Sequence, residues 1–361
     1  MSIAEYFSPD YASARERFRA AAARAAAATE SYVLPGHRGP GGETLSLDIA
    51  RLGVGDAQSA LLVIAGTHGV EGLAGSGCLV GLLEDRLHDE LPTSGCIVML
   101  HAINPHGFAW LRRVTEDGVD LNRNFVDFSQ PLPSSQAYEQ LHDWLVPRAW
   151  EGEIRQAADA ALGAHIQQHG MAALQAAVSS GQYTRPGGLF YGGERATWSA
   201  QMLLRTLREV LPPTVRRLAV LDLHTGLGPP AYGELILDAA DPKARERALR
   251  WYGPDVRDLS AGESVSALLT GTMARGIERL RPELELTFIG LEFGTRPVRE
   301  VLTALRTDHW LHAHGGGDAQ AAARIRRQMR DAFYTDTPAW QAAVYGRTAD
   351  LAFRALRGLG G

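Results

Sequence analysis

Cysteine is scarce in this chain: Cys78 and Cys96 are the two in 361 residues. Two are too few for a disulfide framework, and both lie in apolar segments, so buried free thiols are the expectation. Lysine is scarcer still. Of the 36 basic residues only Lys243 is a lysine. Beside so many alanines, this reads as genomic base composition and not as chemistry. Basic charge is not in excess either: 41 acidic residues leave a net charge of −5, which excludes the electrostatic footprint of a nucleic-acid binder. Long apolar runs are missing, and none approaches the ~20 residues that span a bilayer. The N-terminal Met1-Ser2-Ile3-Ala4-Glu5-Tyr6 has neither the basic start nor the apolar centre of a secretory leader. These absences predict a cytoplasmic, reduced protein without a membrane partner. A Gly-x-Ser-x-Gly elbow is absent too, so a serine hydrolase has no support.

What is present is ordinary globular material, 45% apolar and 21% charged, enough to bury a sizeable core. Leu45 to Leu52, Leu61 to Ala65, Cys96 to Ile103, Leu218 to His224, Gly233 to Leu237 and Leu284 to Leu291 read as strands. Ala12 to Ala28, Leu73 to Leu91, Trp198 to Val210, Arg296 to Trp310, Ala319 to Phe333 and the tail to Arg357 read as helices. Gly72, Gly75 and Gly77 weaken the second of these helices but permit close packing on a sheet. Strands alternating with helices predict an α/β fold, a mixed central sheet with helices on both faces. Ser134 to Val178 shows no strand signal and predicts a helical insertion over about 134–195, closed by a loop at Tyr183 to Gly188. The insertion either roofs a site or is a surface excursion. No repeat or boundary linker is visible, so residues 1–361 read as one domain.

Three strand-like runs end in potential metal ligands. Leu61 to Gly66 leads into Thr67-His68-Gly69-Val70-Glu71-Gly72, Leu218 to Leu221 into Asp222-Leu223-His224-Thr225-Gly226, and Leu286 to Leu291 into Glu292-Phe293-Gly294-Thr295. A His and a Glu three residues apart on one turn can close on one cation, and a catalytic zinc needs a third protein ligand from elsewhere. Among 12 histidines the spacing alone is weak. Its place at the carboxyl end of a strand makes it stronger, because open α/β sheets put their sites there.

With Asp120-Leu121-Asn122-Arg123-Asn124-Phe125 between them, these segments resemble the M14 zinc carboxypeptidase superfamily. Gly181-Gln182-Tyr183, Gly187-Gly188-Leu189-Phe190-Tyr191-Gly192-Gly193 and Trp198-Ser199 narrow the likeness to the bacterial DUF2817 branch, from about Tyr6 to Arg330. The resemblance implies one zinc ion per chain, held by His68, Glu71 and His224 with an open fourth position. It implies Glu292 as general base, Asp120 as the acid orienting a ligand His, and Asn122 and Arg123 as the grip on a substrate carboxylate. Arg113 would stabilise the oxyanion. Arg112 is its confounder: on a strand the two would point to opposite faces, and Arg112 otherwise reads as a surface ion pair of little worth.

The sequence departs from the family at two places. Val70 stands where many carboxypeptidases carry Arg, as in aspartoacylase-like amidohydrolases, which also lack that Arg. Thr270 to Gly276 contains no Tyr where a substrate-binding one is expected; Tyr191, Tyr232 and Tyr252 are the substitutes in view. A second cluster, His309, His312 and His314 before Gly315-Gly316-Gly317, has metal-compatible spacing but reads as a helix end with a glycine stop. The expectation is a zinc-dependent metallohydrolase cleaving an amide next to a carboxylate-bearing group, on a small peptide or an acylated amino acid. Its versions are a carboxypeptidase on short or modified peptides and an N-acyl amino acid amidohydrolase. A non-catalytic metal-binding protein on the same fold is the remaining alternative.

Overall fold

The structure is a computed structural model and describes residues 2–315 and 318–361. In chain order the elements are α1 (Tyr11–Arg24), β1 (Ala28–Arg38), β2 (Thr44–Gly53), β3 (Ser59–Ala65), α2 (Gly72–Glu84), β4 (Gly95–His101) and α3 (Pro105–Trp110). Then come α4 (Gln136–Leu145), α5 (Gly152–His169), α6 (Met171–Ser179), α7 (Trp198–Glu209), β5 (Arg217–Pro230), β6 (Gly233–Leu237), α8 (Pro242–Tyr252) and β7 (Val256–Asp258). The chain ends with α9 (Met273–Leu280), β8 (Glu285–Gly294), α10 (Val298–His314), α11 (Ala319–Phe333) and α12 (Pro338–Gly360).

The strands form one eight-stranded sheet in the order β1-β2-β4-β3-β5-β8-β6-β7. β4, β3, β5 and β8 run parallel in its centre, with antiparallel pairs toward both edges, so the sheet is mixed as expected. Every residue of β3 and β4 is buried, which is why these strands read as continuous apolar runs. Leu61, Val63 and Ala65 of β3 pack with residues of α1, α2, α8 and α12 on one face. Ala60, Leu62 and Ile64 pack with α7 and α9 on the other. A third apolar cluster joins α4, α5, α6, α10 and α11 around Val70, Phe190 and Phe333. Among the described residues no helix is long and apolar enough to cross a membrane. Both cysteines are buried and free.

Some expectations need correction. The helix expected to run to Ala28 stops at Arg24, and Ala28–Arg38 is a strand. That strand lies at the sheet edge with only Leu34 buried, so it carries no apolar face to read. The helix expected over Leu73 to Leu91 ends at Glu84; Arg86 turns left-handed at φ 57° and starts a separate short turn at Leu87. Only Gly75 brings that helix onto the sheet, where a Cβ would stand 2.8 Å from the Ala65 side chain. Gly72 and Gly77 face Phe108 and Phe7 instead. The insertion is three helices, broken at Gly170 with φ 85°.

Candidate active site

β3 ends at Ala65, and Gly66 turns the chain at φ +75°, a conformation that favours glycine. The turn that follows carries His68 and Glu71. Its backbone is pinned from outside: the amides of Gly69 and Val70 donate to the carbonyls of Arg113 and Arg112. β3 pairs with β5, and β5 pairs with β8 so that His224 stands directly opposite Glu292. Three strand ends therefore converge, as the sequence predicts.

His68, Glu71 and His224 each offer a ligand atom within 4.8 Å of the others. His68 Nδ1 lies 3.0 Å from Glu71 Oε1, His224 Nδ1 lies 3.1 Å from Oε2, and the two Nδ1 atoms are 3.1 Å apart. The Thr225 amide also donates to Glu71 Oε2 at 3.1 Å. Two imidazole nitrogens this close, both facing one buried carboxylate, require a proton or a cation between them. Burial alone would raise Glu71, but the charges and hydrogen bonds of His68 and His224 outweigh it and hold the carboxyl at about 2. His224 is buried, which disfavours its charge, yet Asp222 and Glu71 raise it well above its ordinary value. A proton is thus held where a cation would sit. The donor chemistry, two nitrogens and a carboxylate, fits zinc.

The outer ring nitrogens are held as well. His224 Nε2 lies 2.8 Å from Asp222 Oδ2, and Asp222 Oδ1 accepts from Thr67 Oγ1 at 2.7 Å. His68 Nε2 lies 3.3 Å from Asp120 Oδ1. Burial would raise Asp120, but the charges of Arg113, Arg123 and His68 hold it well below the usual carboxylate range. Asp222 is a site residue to which the sequence motifs assign no role. The signal was available, because residues two apart on a strand share a face.

Arg113, not Arg112, faces this centre. The two do not lie on a strand; they follow α3 in a turn. Arg113 Nε donates to Asp120 Oδ2 at 2.9 Å, and Nη2 lies 2.7 Å from His68 Nε2. A guanidinium only donates, so in this arrangement the His68 proton is on Nδ1. For Nδ1 to act as a ligand the proton must pass to Nε2, toward Asp120, and Arg113 must turn away. Arg112 is not a surface ion pair. Its guanidinium is buried and pairs with Asp308 of α10 at 3.0 Å.

Glu292 lies in the same pocket, its Oε1 accepting from the Leu227 amide at 2.9 Å. Burial first, and the charge of Glu71 second, push its carboxyl up to about 7. Asn122 Oδ1 accepts from the Met273 amide at 2.9 Å, which leaves Nδ2 for the pocket it lines. Arg123 also lines the pocket, but its fork is already engaged: Nε and Nη2 donate to the Ser179 carbonyl at 3.0 and 2.6 Å, and Nη1 donates to the Asn122 carbonyl. Phe190 lies under the guanidiniums of both Arg113 and Arg123, 4.9 and 5.5 Å from ring centre to Cζ.

None of the three candidate tyrosines lines this pocket. Tyr191 and Tyr252 are buried, and Tyr232 is exposed at the turn between β5 and β6. His309 donates Nδ1–H to the Gly187 carbonyl at 3.0 Å and is buried, while His312 bonds the Asp308 carbonyl of its own helix. His314 closes α10 before Gly315 at φ +61°. Among the described residues the three histidines form no metal-binding group; Gly316 and Gly317 of the expected stop lie outside those residues.

The pocket measures about 1140 Å³ with its open mouth and contains His68, His224, Glu292, Arg113, Asn122 and Arg123. α6 of the insertion roofs it through Met171, Leu174 and Val178.

The family described as protein of unknown function (DUF2817) matches residues 7–347. The chain belongs to that family. No protein of curated function is matched by the sequence. Among solved structures, an aspartoacylase family protein from Mesorhizobium loti is 19% identical over 81% of this chain and 69% of its own, with TM-score 0.37. Bovine thrombin-activatable fibrinolysis inhibitor is 12% identical over 99% of each chain, with TM-score 0.46. The murein-tripeptide amidase of Escherichia coli O157 is 16% identical over 80% of this chain and 93% of its own, with TM-score 0.36. At such distances the chemistry has to be read from this chain's own side chains.

Proposed function

We propose that this protein is a zinc-dependent hydrolase that cleaves an amide bond next to a carboxylate-bearing group. One observation supports it above the rest. His68, Glu71 and His224 converge, His224 Nε2 is held by Asp222, Asp120 lies beside His68 Nε2, and Glu292 stands opposite His224 in the same pocket. A structural site would not need a half-buried carboxylate facing it with one oxygen left without a partner. Bound there, zinc supplies Lewis-acid polarisation of a carbonyl and makes water more acidic.

The chain's own groups then divide the work. Glu292 Oε2, free while Oε1 accepts from Leu227, takes a proton from the attacking water and returns it to the leaving nitrogen. Arg113, once released from His68 Nε2, donates to the oxyanion that forms on the carbonyl. Asn122 Nδ2 and the N–H groups of Arg123 not given to Ser179 and Asn122 receive the substrate carboxylate. Free buried thiols suit a reducing, cytoplasmic setting.

Elemental analysis and a substrate panel test this reading. The unmutated protein should carry one zinc, and His68→Ala and His224→Ala should lose it. Glu292→Gln should keep the metal and lose about 10²–10⁴ in turnover on N-acyl amino acids or peptides with a free carboxylate. Near-normal turnover by zinc-loaded Glu292→Gln would remove the general base. Equal cleavage of free-acid and amide-capped substrates would remove the role of Asn122 and Arg123.

A further inference from the structure

The walls of the pocket are unequal. Beside the reaction centre, four polar residues of the lining are neighbours: Asn122, Arg123, Asp238 and Thr272. Asp238 is buried and accepts from Arg275 at 2.9 Å, with the buried Thr272 hydroxyl beside it. The long wall is apolar. Met171, Leu174 and Val178 come from α6, Val298, Val301, Leu302 and Leu305 from α10, and Phe333 closes α11.

Polar groups along that wall are few. Gln175, the polar side chain of α6 that lines it, donates Nε2 to the Val265 carbonyl at 2.6 Å. Beside the reaction centre, the Thr225 and Leu227 amides are given to Glu71 and Glu292. A peptide laid along this wall would strip water from its own amides and find few partners, and each amide left unpaired would weaken binding. A hydrocarbon chain has no such groups and gains from the burial. The rim continues the apolar surface. Val298 is 37% exposed, and Val265 and Leu268, 36% and 68% exposed, flank the lining residues Ser266 and Ala267.

We propose that the acyl side of the scissile amide is a long unbranched hydrocarbon chain lying along α6 and α10, so that the substrate class is medium- to long-chain N-acyl amino acids. This rests on the hydrolase reading above and narrows it. The polar end takes the amino-acid head with its carboxylate. The roofing helix α6, part of the insertion, is then a specificity element.

The test uses the zinc-loaded full chain with N-acetyl-, N-hexanoyl- and N-decanoylglycine, and the same acyl series on phenylalanine and glutamate. Each methylene added up to hexanoyl should raise kcat/KM by about fourfold, the factor expected for a buried CH₂. Leu302→Ser and Met171→Ser, at half-buried positions, should each cut the decanoyl-over-acetyl preference about tenfold, with melting temperature as the control. A flat or falling chain-length series overturns the proposal, as does a larger gain from the amino-acid side chain than from the acyl chain. Full preference retained in both variants overturns it as well. Titration of zinc-loaded Glu292→Gln with N-ethylglycine and N-decylglycine, which have no amide to cleave, separates the two claims. Tighter binding of the decyl compound without turnover of any acyl substrate keeps the chamber and rejects the hydrolase. Turnover without length dependence does the reverse, and failure of the decyl compound to outbind the ethyl one overturns the chamber.

Discussion

Glu292 shows at the scale of one residue what the site costs the fold when no cation is present. Its carboxyl is largely desolvated in a half-buried residue, its Oε1 accepts one amide, and Glu71 adds a like charge nearby, so it is raised from 4.5 to about 7. A raised acid binds its proton more tightly in the folded chain than in the unfolded one. The stability it contributes is therefore full below pH 4.5 and is lost as pH rises through about 7. Glu292→Gln removes that loss while keeping an oxygen for the Leu227 amide. In metal-free protein at pH 8 the variant should be more stable than the parent by on the order of 1–3 kcal/mol, and at pH 5 the difference should shrink. Urea unfolding at the two pH values checks it, and zinc should abolish the gain because a cation offsets the carboxylate. Equal metal-free stability at pH 8 would mean that the carboxylate is not desolvated. Asp222 makes a complementary point. It was visible two residues before His224, but only the fold brings Thr67 to its other oxygen.

At the scale of elements, the ligand turn is held in place by segments far away in sequence. Arg112 and Arg113 accept the turn's amides on their carbonyls, and Arg112 is then anchored to α10 by the buried pair with Asp308. Removing one partner strands a charge in the interior. Asp308→Ala should cost about 3–5 kcal/mol in urea unfolding, and an apolar pair at both positions should recover much of it. A loss below about 1 kcal/mol would return the pair to the surface category. Arg123 plays a similar part for the roof, because its fork closes on the Ser179 carbonyl at the end of α6. The elements themselves were unevenly legible. β3, β5 and β8 announce themselves because both of their faces are apolar. β1 does not, since exposure on an edge removes the alternation that marks a strand. The end of α2 was hidden because Arg86 adopts a left-handed conformation that nothing in its side chain announces.

For the whole molecule, a cation held by His68, Glu71 and His224 would tie the ends of β3 and β5 together. A ligand that binds only the folded chain stabilises it by mass action. Free zinc at a thousandfold over its dissociation constant should add about 4 kcal/mol, read as a rise in melting temperature on titration and a fall on chelation. His224→Ala should show neither. An unmutated protein whose melting is indifferent to zinc and to chelator would refute a folded-state metal site.

The strand cores, the alternation of strands with helices, and the candidate groups His68, Glu71, His224, Glu292 and Asp120 are legible in the chain's own order of residues. These are local facts, carried by apolar runs and by spacings of a few residues. The tertiary structure decided what those groups do to one another. Register placed His224 opposite Glu292, a turn chose Arg113 over Arg112, and the packing of α6 and α10 built an apolar wall from residues more than a hundred positions apart. Burial and cross-strand register depend on the whole chain at once, and no short window of sequence contains them.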